Sequence, residues 1–221
     1  MESSNYERWK RVYEIYPLED LPWELSRPRE VLVELLESNK VKKGKALDIC
    51  CGAGTNTVYI ASKGFETTGI DISPKAIEIA KEKARKAGVK IRFIAGNALH
   101  LPFNDEEFDF IFDMGCFHHI LPEDRELFIK GVHRTLKTGG KYLLTCFSYK
   151  NGYAWNHLRL IQDFYLKCIR INLFAKVDLR TQTFFSTLDE VGLGSKEVTE
   201  INFHRNLKTN VREIKVGLQY L

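Results

Sequence analysis

Ala46-Leu-Asp-Ile-Cys-Cys-Gly-Ala-Gly-Thr-Asn-Thr57 decides the fold, because a short apolar run breaks into closely spaced glycines and then into a helical pattern. It reads as strand, tight turn and helix N-terminus. Gly52 and Gly54 allow positive-φ turns and close approach of a ligand, and the helix that follows offers unpaired N–H groups to an anion. Such a turn binds a nucleotide or a nucleotide-like cofactor. Gly69-Ile-Asp-Ile-Ser73 then supplies an acid, Asp71, at the end of a second apolar run, where a ribose-binding carboxylate belongs.

Outward from this turn the pattern alternates. Expected strands cover 45–50, 66–72, 89–94, 108–113 and 141–147, and expected helices cover 55–63, 74–87 and a stretch opening at Pro122. Gly64 suits the C′ position of the first helix, and Ser73-Pro74 is an N-cap followed by a first-turn proline. Ile77, Ala80, Ala84 and Ala87 form the buried stripe of the second helix, while Lys81 to Lys86 read as its solvated face. Asn104 to Glu107 is too short for a full helix, so the third crossover is abbreviated. The near-continuous apolar strands predict an α/β, Rossmann-like, doubly wound and mostly parallel sheet.

Before the core, helical patterns at 6–16 and 28–37 flank a proline-rich turn, and Tyr6, Trp9, Tyr13 and Tyr16 make an aromatic stripe. The stripe reads either as a packed helix or, with Trp23, as a lid over a cationic ligand. After the core, 150–183 carries an amphipathic stretch, 186–191 a short helix, and 196–203 and 211–218 two final strands. The expected organisation is one domain over 1–221, with an N-terminal helical lid at 1–40 and a cofactor-binding core at 41–148. An insertion covering the acceptor side spans 149–185, and the C-terminal helix and strands span 186–221.

Composition excludes several classes. The chain is 44% hydrophobic and 28% charged, without the eighteen-residue apolar run that a membrane span needs. Its N-terminus lacks the order of a secretory signal, and its five cysteines, an odd number with two adjacent, do not read as a disulfide framework. The expected location is the cytoplasm. A net charge of +4 with interleaved signs argues against nucleic acid as a partner.

Five motifs in order carry a family resemblance: Asp48-Ile-Cys-Cys-Gly-Ala-Gly54, Gly69-Ile-Asp-Ile-Ser73, Gly96-Asn-Ala-Leu-His-Leu-Pro-Phe103, Phe108-Asp-Phe-Ile-Phe112 and Leu136-Lys-Thr-Gly-Gly-Lys141. The chain resembles the class I S-adenosylmethionine-dependent methyltransferases. Within them it looks most like small-molecule members of the thiopurine and tellurite-resistance kind and of methyltransferase types 11 and 25, through Pro22-Trp23 and Gly115-Cys-Phe-His-His119. The resemblance implies a seven-stranded sheet with an antiparallel C-terminal hairpin, and S-adenosyl-L-methionine as cofactor with S-adenosyl-L-homocysteine as product. It puts the methionine end of the cofactor near Asp48, Gly52 and Gly54, the ribose on Asp71 and the adenine on Ile72, beside Asn97 and Ala98. Trp23, Cys50 and Met114 complete the expected cofactor set. Asn97 stands where the family usually has an acid, and accepts through its carbonyl instead. Cys50 replaces the first glycine of the family pattern, so ordinary β backbone is expected there.

A methyl sulfonium is already activated, so the protein's task is to align the acceptor and exclude water. His118 and His119, just beyond the fourth strand, are the candidate catalytic bases, with at most one expected to reach the acceptor because adjacent side chains usually point apart. No metal is required, although Cys50, Cys51, Cys116, Cys146 and His118 raise the idea of a soft-metal or metalloid ligand set. The expected partner is a small-molecule methyl acceptor, and the chain acts as a monomer or homodimer. Competing readings are an RNA or protein methyltransferase, a nucleoside-binding module without chemistry, and an NAD-dependent enzyme. Thr57 stands where the last of these wants a third glycine.

Overall fold

Lys45 to Ile49 form strand β1 (Lys45–Ile49), in which Ala46, Leu47, Asp48 and Ile49 are all buried, as an apolar strand covered on both faces must be. The computed structural model describes residues 4–147, 178–184, 196–205 and 212–215, with side chains from 6 to 145. The chain divides into two compact units, Met1–Pro102 and Phe103–Leu221.

In the first unit β1 pairs in parallel with β2 (Glu66–Asp71), and β2 with β3 (Ile91–Ala95). The register sets Asp48 beside Gly69 and Asp71 beside Ala95. Helix α1 (Ser4–Ile15) and helix α2 (Glu30–Glu37) precede the sheet, and α3 (Thr55–Ser62) and α4 (Pro74–Lys86) are its crossovers. Ser73 caps α4 by accepting the Ala76 N–H at 3.3 Å, and Gly64 follows α3 at φ 89°. Leu32, Leu47, Ile49, Ile60 and Ile70 are 0% exposed; each contributes roughly 1.5–3 kcal/mol by leaving water.

Several expectations are revised here. Tyr6 and Tyr13 are buried with Trp9 half-buried, but Tyr16 lies past the end of α1 and is 54% exposed, so the stripe has three aromatic residues. Ala87 is the C-cap of α4 and exposed, and the buried stripe is Ala76, Ile77, Ala80 and Ala84. Cys50 sits at φ 56°, the left-handed conformation that the glycine it replaces would adopt, and not in ordinary β backbone. It is also disulfide-bonded, whereas Cys51 is free, so the cysteines are not a uniform set of thiols.

The second unit pairs β4 (Phe108–Met114) in parallel with β5 (Leu136–Phe147), joined by α5 (Arg125–Thr135). The expected turn at 137–140 is absorbed into β5 as an irregularity: Leu136 pairs with Phe108, and the register resumes at Lys141 opposite Phe110. Phe128 and Val132 of α5 are buried, but Leu127 is 41% exposed. No helix forms at 104–107. In its place Arg134 donates to the Phe103 carbonyl at 2.6 Å and to Asp105 at 2.9 Å, and its own carbonyl accepts the Glu106 N–H at 2.8 Å.

Three more strands follow, β6 (Asp178–Phe184), β7 (Lys196–Arg205) and β8 (Arg212–Lys215), with β7 antiparallel to β5, β6 and β8. The described residues thus hold eight strands where seven were expected, and strand β6 begins inside the stretch read as amphipathic. The rest of that stretch and the expected helix at 186–191 lie outside the described residues. Among the described residues no helix is long and apolar enough to cross a membrane.

Candidate functional site

The turn after β1 is held from three sides. Asp48, 2% exposed, accepts the Thr57 hydroxyl at 2.6 Å, which ties the end of β1 to α3. Asp71, 8% exposed, accepts the Gly52 N–H at 2.8 Å through one oxygen and the Ser73 N–H at 2.9 Å through the other. Burial raises the Asp71 carboxyl to about 6, against the pull of those two N–H donors. It is therefore largely ionised at neutral pH, and each oxygen keeps a lone pair for a further donor.

The two glycines do different work. Gly52, at φ 53°, has the Tyr13 hydroxyl 2.5 Å from where a Cβ would stand, so its open face is covered by α1. Gly54, at φ 77°, would drive a Cβ to 2.7 Å from the Ala80 Cβ, so its lack of a side chain lets α4 pack against the turn.

Residues 9–24 close over this turn. Val12, Tyr13, Leu21, Ala53 and Ala76 form one buried cluster, with Trp9, Leu18, Trp23 and Ile79 packed against it. The Trp23 indole N–H donates to the Tyr13 hydroxyl at 2.9 Å, and its ring meets Trp9 edge-on at 5.4 Å. Burial, and then the Glu24 carboxylate, push the Tyr13 hydroxyl far above its ordinary range, so it stays protonated. Glu24 accepts the Ala53 N–H at 3.2 Å and the Tyr13 hydroxyl at 3.3 Å through one oxygen. Through the other it accepts the Thr55 hydroxyl at 3.5 Å and Lys83 Nζ at 3.3 Å. Lys83 also donates to Thr55 Oγ1 at 2.8 Å, and its side chain is only 31% exposed, which removes it from the solvated face expected of α4.

Of the remaining expected cofactor residues, Ile72 follows Asp71 and is half-buried, an apolar side chain beside a fixed carboxylate. Asn97 is half-buried and its side-chain carbonyl accepts the Leu99 N–H at 2.9 Å, while Ala98 is buried. That carbonyl retains one lone pair for an outside donor.

In the second unit, Asp113 is 0% exposed at the end of β4 and accepts the Cys116 N–H at 2.6 Å and the Phe117 N–H at 2.9 Å. Burial raises it to about 7. This carboxyl anchors the short 3₁₀ turn Phe117–His119. His118 and His119 do not point apart: their ring centroids are 4.1 Å from each other on this turn. His118 is half-buried and His119 exposed. The Met114 sulfur is 3.6 Å from the Thr145 hydroxyl.

The soft-metal idea gains no support. Among the described residues no three His, Cys, Asp or Glu side chains are grouped to hold a metal ion. Burial, and then Asp48, push the Cys51 thiol well above its usual range, which disfavours the thiolate that a metal needs.

Sequence reasoning missed Glu24, Lys83, Thr57 and Asp113. The available signals were an acid next to Trp23, a lysine one turn past Ala80, and a hydroxyl three residues after Gly54. None of the three is specific without the fold.

Residues 46–140 match the family model described as a methyltransferase domain. The chain is 40% identical over 110 residues to an uncharacterized methyltransferase of Synechocystis, covering 49% of this chain and 50% of that protein. It is 30% identical over 127 residues to the 2-heptyl-1-hydroxyquinolin-4(1H)-one methyltransferase of Mycobacteroides abscessus, covering 57% and 56%. A crystal structure of a SAM-dependent methyltransferase from Methanosarcina mazei is 26% identical with a TM-score of 0.57, covering 78% of this chain and 98% of that one. The chain thus spans about half the length of the curated relatives it matches.

Proposed function

We propose that this chain, whose residues 46–140 match a methyltransferase-domain model, is a class I S-adenosylmethionine-dependent methyltransferase that transfers a methyl group to a small-molecule acceptor by in-line displacement. The observation that carries the proposal is Asp71, an ionised carboxylate fixed by two backbone N–H groups at the carboxyl end of β2 beside the glycine turn. Ligands of parallel α/β sheets bind at that end of the strands.

The residues present fit S-adenosylmethionine. Asp71 has free lone pairs for the two ribose hydroxyls, and Ile72 offers an apolar surface to the adenine, with Asn97 and Ala98 as its further flank. The glycine turn ahead of α3 accepts a carboxylate, since the Ala53 N–H already donates to one. Gly52 admits the amino-acid end without a Cβ in the way, whereas Asp48 and Gly54 act through the shape of the turn. The bound cofactor supplies an activated methyl group on a sulfonium. The chain's own work is to hold the nucleoside, orient the acceptor and exclude water.

Either His118 or His119 takes the proton of an oxygen or nitrogen acceptor, and neither is needed for a thiolate or halide. The small-molecule reading is supported by the relative named for a hydroxyquinolone acceptor, and a soluble cytoplasmic setting suits it.

The test is a screen for transfer of tritiated methyl groups to thiols, amines, phenols, halides and metalloids, run beside Asp71→Ala. Transfer to one acceptor class is expected, with cofactor affinity in Asp71→Ala lowered by roughly a hundredfold for two lost charge-assisted hydrogen bonds. Unchanged cofactor affinity in that variant overturns the assignment.

A further inference from the structure

Glu24 stands out because a carboxylate of the chain itself is bound on the glycine turn that leads into α3. Its side chain is 9% exposed and takes donors from Ala53 N–H, Thr55 Oγ1, Lys83 Nζ and the Tyr13 hydroxyl. Three of these, the Ala53 N–H, the Thr55 hydroxyl and the Lys83 ammonium, belong to the turn and the two crossover helices; only the fourth comes with Glu24 on the N-terminal segment. A backbone N–H, a hydroxyl and an ammonium that converge on one point favour an anion, most of all through the charge-assisted bond from the ammonium. The same donors therefore form a carboxylate site whatever carboxylate fills it.

We propose that Ala53 N–H, Thr55 Oγ1 and Lys83 Nζ are the subsite for the cofactor's amino-acid carboxylate, and that Glu24 occupies it as an internal stand-in which the incoming carboxylate displaces. The proposal rests on the methyltransferase reading and adds two residues to it, Lys83 as a binding cation and Glu24 as the competitor. Charge balances in the exchange: one carboxylate leaves the three donors as another arrives. The departing Glu24 carries its neighbours with it. Tyr13 hydrogen-bonds both Glu24 and Trp23 and covers the open face of Gly52, so release of Glu24 uncovers that glycine. Cofactor entry and withdrawal of the Tyr13 hydroxyl from Gly52 become one event.

The test uses the full chain, isothermal titration calorimetry, and two ligands that share a nucleoside and thioether: S-adenosylhomocysteine, which has the amino-acid end, and 5′-methylthioadenosine, which lacks it. Glu24→Gln keeps the shape of the side chain and removes its charge; Lys83→Met keeps the stem and removes the cation. In Glu24→Gln, S-adenosylhomocysteine should bind about tenfold more tightly, the worth of one charge-assisted hydrogen bond no longer competed for, with 5′-methylthioadenosine unchanged. In Lys83→Met, S-adenosylhomocysteine should bind about tenfold more weakly, again with 5′-methylthioadenosine unchanged. Weaker or unchanged binding of S-adenosylhomocysteine in Glu24→Gln overturns the proposal, as does an equal gain for both ligands. Lys83→Met, at a partly exposed position, decides the matter on its own should the Glu24 variant fold poorly: no effect on S-adenosylhomocysteine refutes the subsite. Failure of the wild-type chain to bind either ligand refutes the methyltransferase reading itself, a result distinct from all of these.

Discussion

Thr57→Val is the substitution whose effect follows most directly from the geometry. Thr57 is 0% exposed and donates at 2.6 Å to Asp48, itself 2% exposed. Valine fills nearly the same volume but leaves that carboxylate oxygen without its hydroxyl donor. A hydrogen bond to a charged group contributes roughly 1.5–3 kcal/mol, and its buried acceptor is costly to strand. For a chain of this length 1 kcal/mol corresponds to roughly 2–4 °C in Tm, so a loss of about 2 kcal/mol lowers Tm by about 4–8 °C. Thr57→Ser keeps the hydroxyl and loses one buried methyl, about 0.8 kcal/mol, and should melt between the wild type and Thr57→Val. Thermal unfolding followed by circular dichroism reads all three proteins. A Thr57→Val protein as stable as wild type, or less affected than Thr57→Ser, would falsify the claim that this hydroxyl fastens α3 to β1.

Two further outcomes are expected. Asp113 has its folded pKa raised from 3.8 to about 7, so the folded state holds a proton that the unfolded state has released between those values; its contribution is greatest below about 4 and is lost as pH rises through 7. Urea unfolding from pH 5 to pH 8 should show stability falling less steeply in Asp113→Asn than in wild type, and identical slopes would contradict the burial argument. Ser73→Ala removes the α4 cap on Ala76 N–H, for a loss of about 1 kcal/mol and roughly 2–4 °C in Tm, with a null shift showing that the cap is redundant.

How far the sequence could be read depends on the distance over which each feature is encoded. The alternation of β1, α3, β2, α4, β3 and β4 was legible because periodicity, Gly64, and Ser73-Pro74 are local signals, and the observed bounds differ from those expected by one or two residues. Asp71 was legible because its place at the end of an apolar run is local too. Lys83 was not: on α4 it reads as one of several surface lysines, and only the packing of α4 on the glycine turn brings its ammonium to Thr55. Glu24 lies 29 residues before its Ala53 donor, so no window of helical or strand length contains both. Cys50 misled for a different reason. A residue type implies its usual backbone, but the turn demands φ 56° whatever residue stands there. The pair His118 and His119 misled similarly: successive side chains alternate on a strand but stand about 120° apart on a 3₁₀ turn, close enough here for the two rings to meet.

Arg134 has an implication for how this chain tolerates change. Where a crossover helix would otherwise spread its attachment over many side chains, residues 103–107 are fastened mainly by Arg134, which gives two hydrogen bonds through its guanidinium and accepts one through its backbone, with one more from the Thr138 hydroxyl to Glu106. Attachment concentrated in this way makes the loop economical but brittle. Lengthening it moves Phe103 and Asp105 out of reach of a single fixed guanidinium, so loop length and the residue at position 134 form one inherited trait. Anyone grafting a longer crossover onto this scaffold has to redesign the far end of α5 as well.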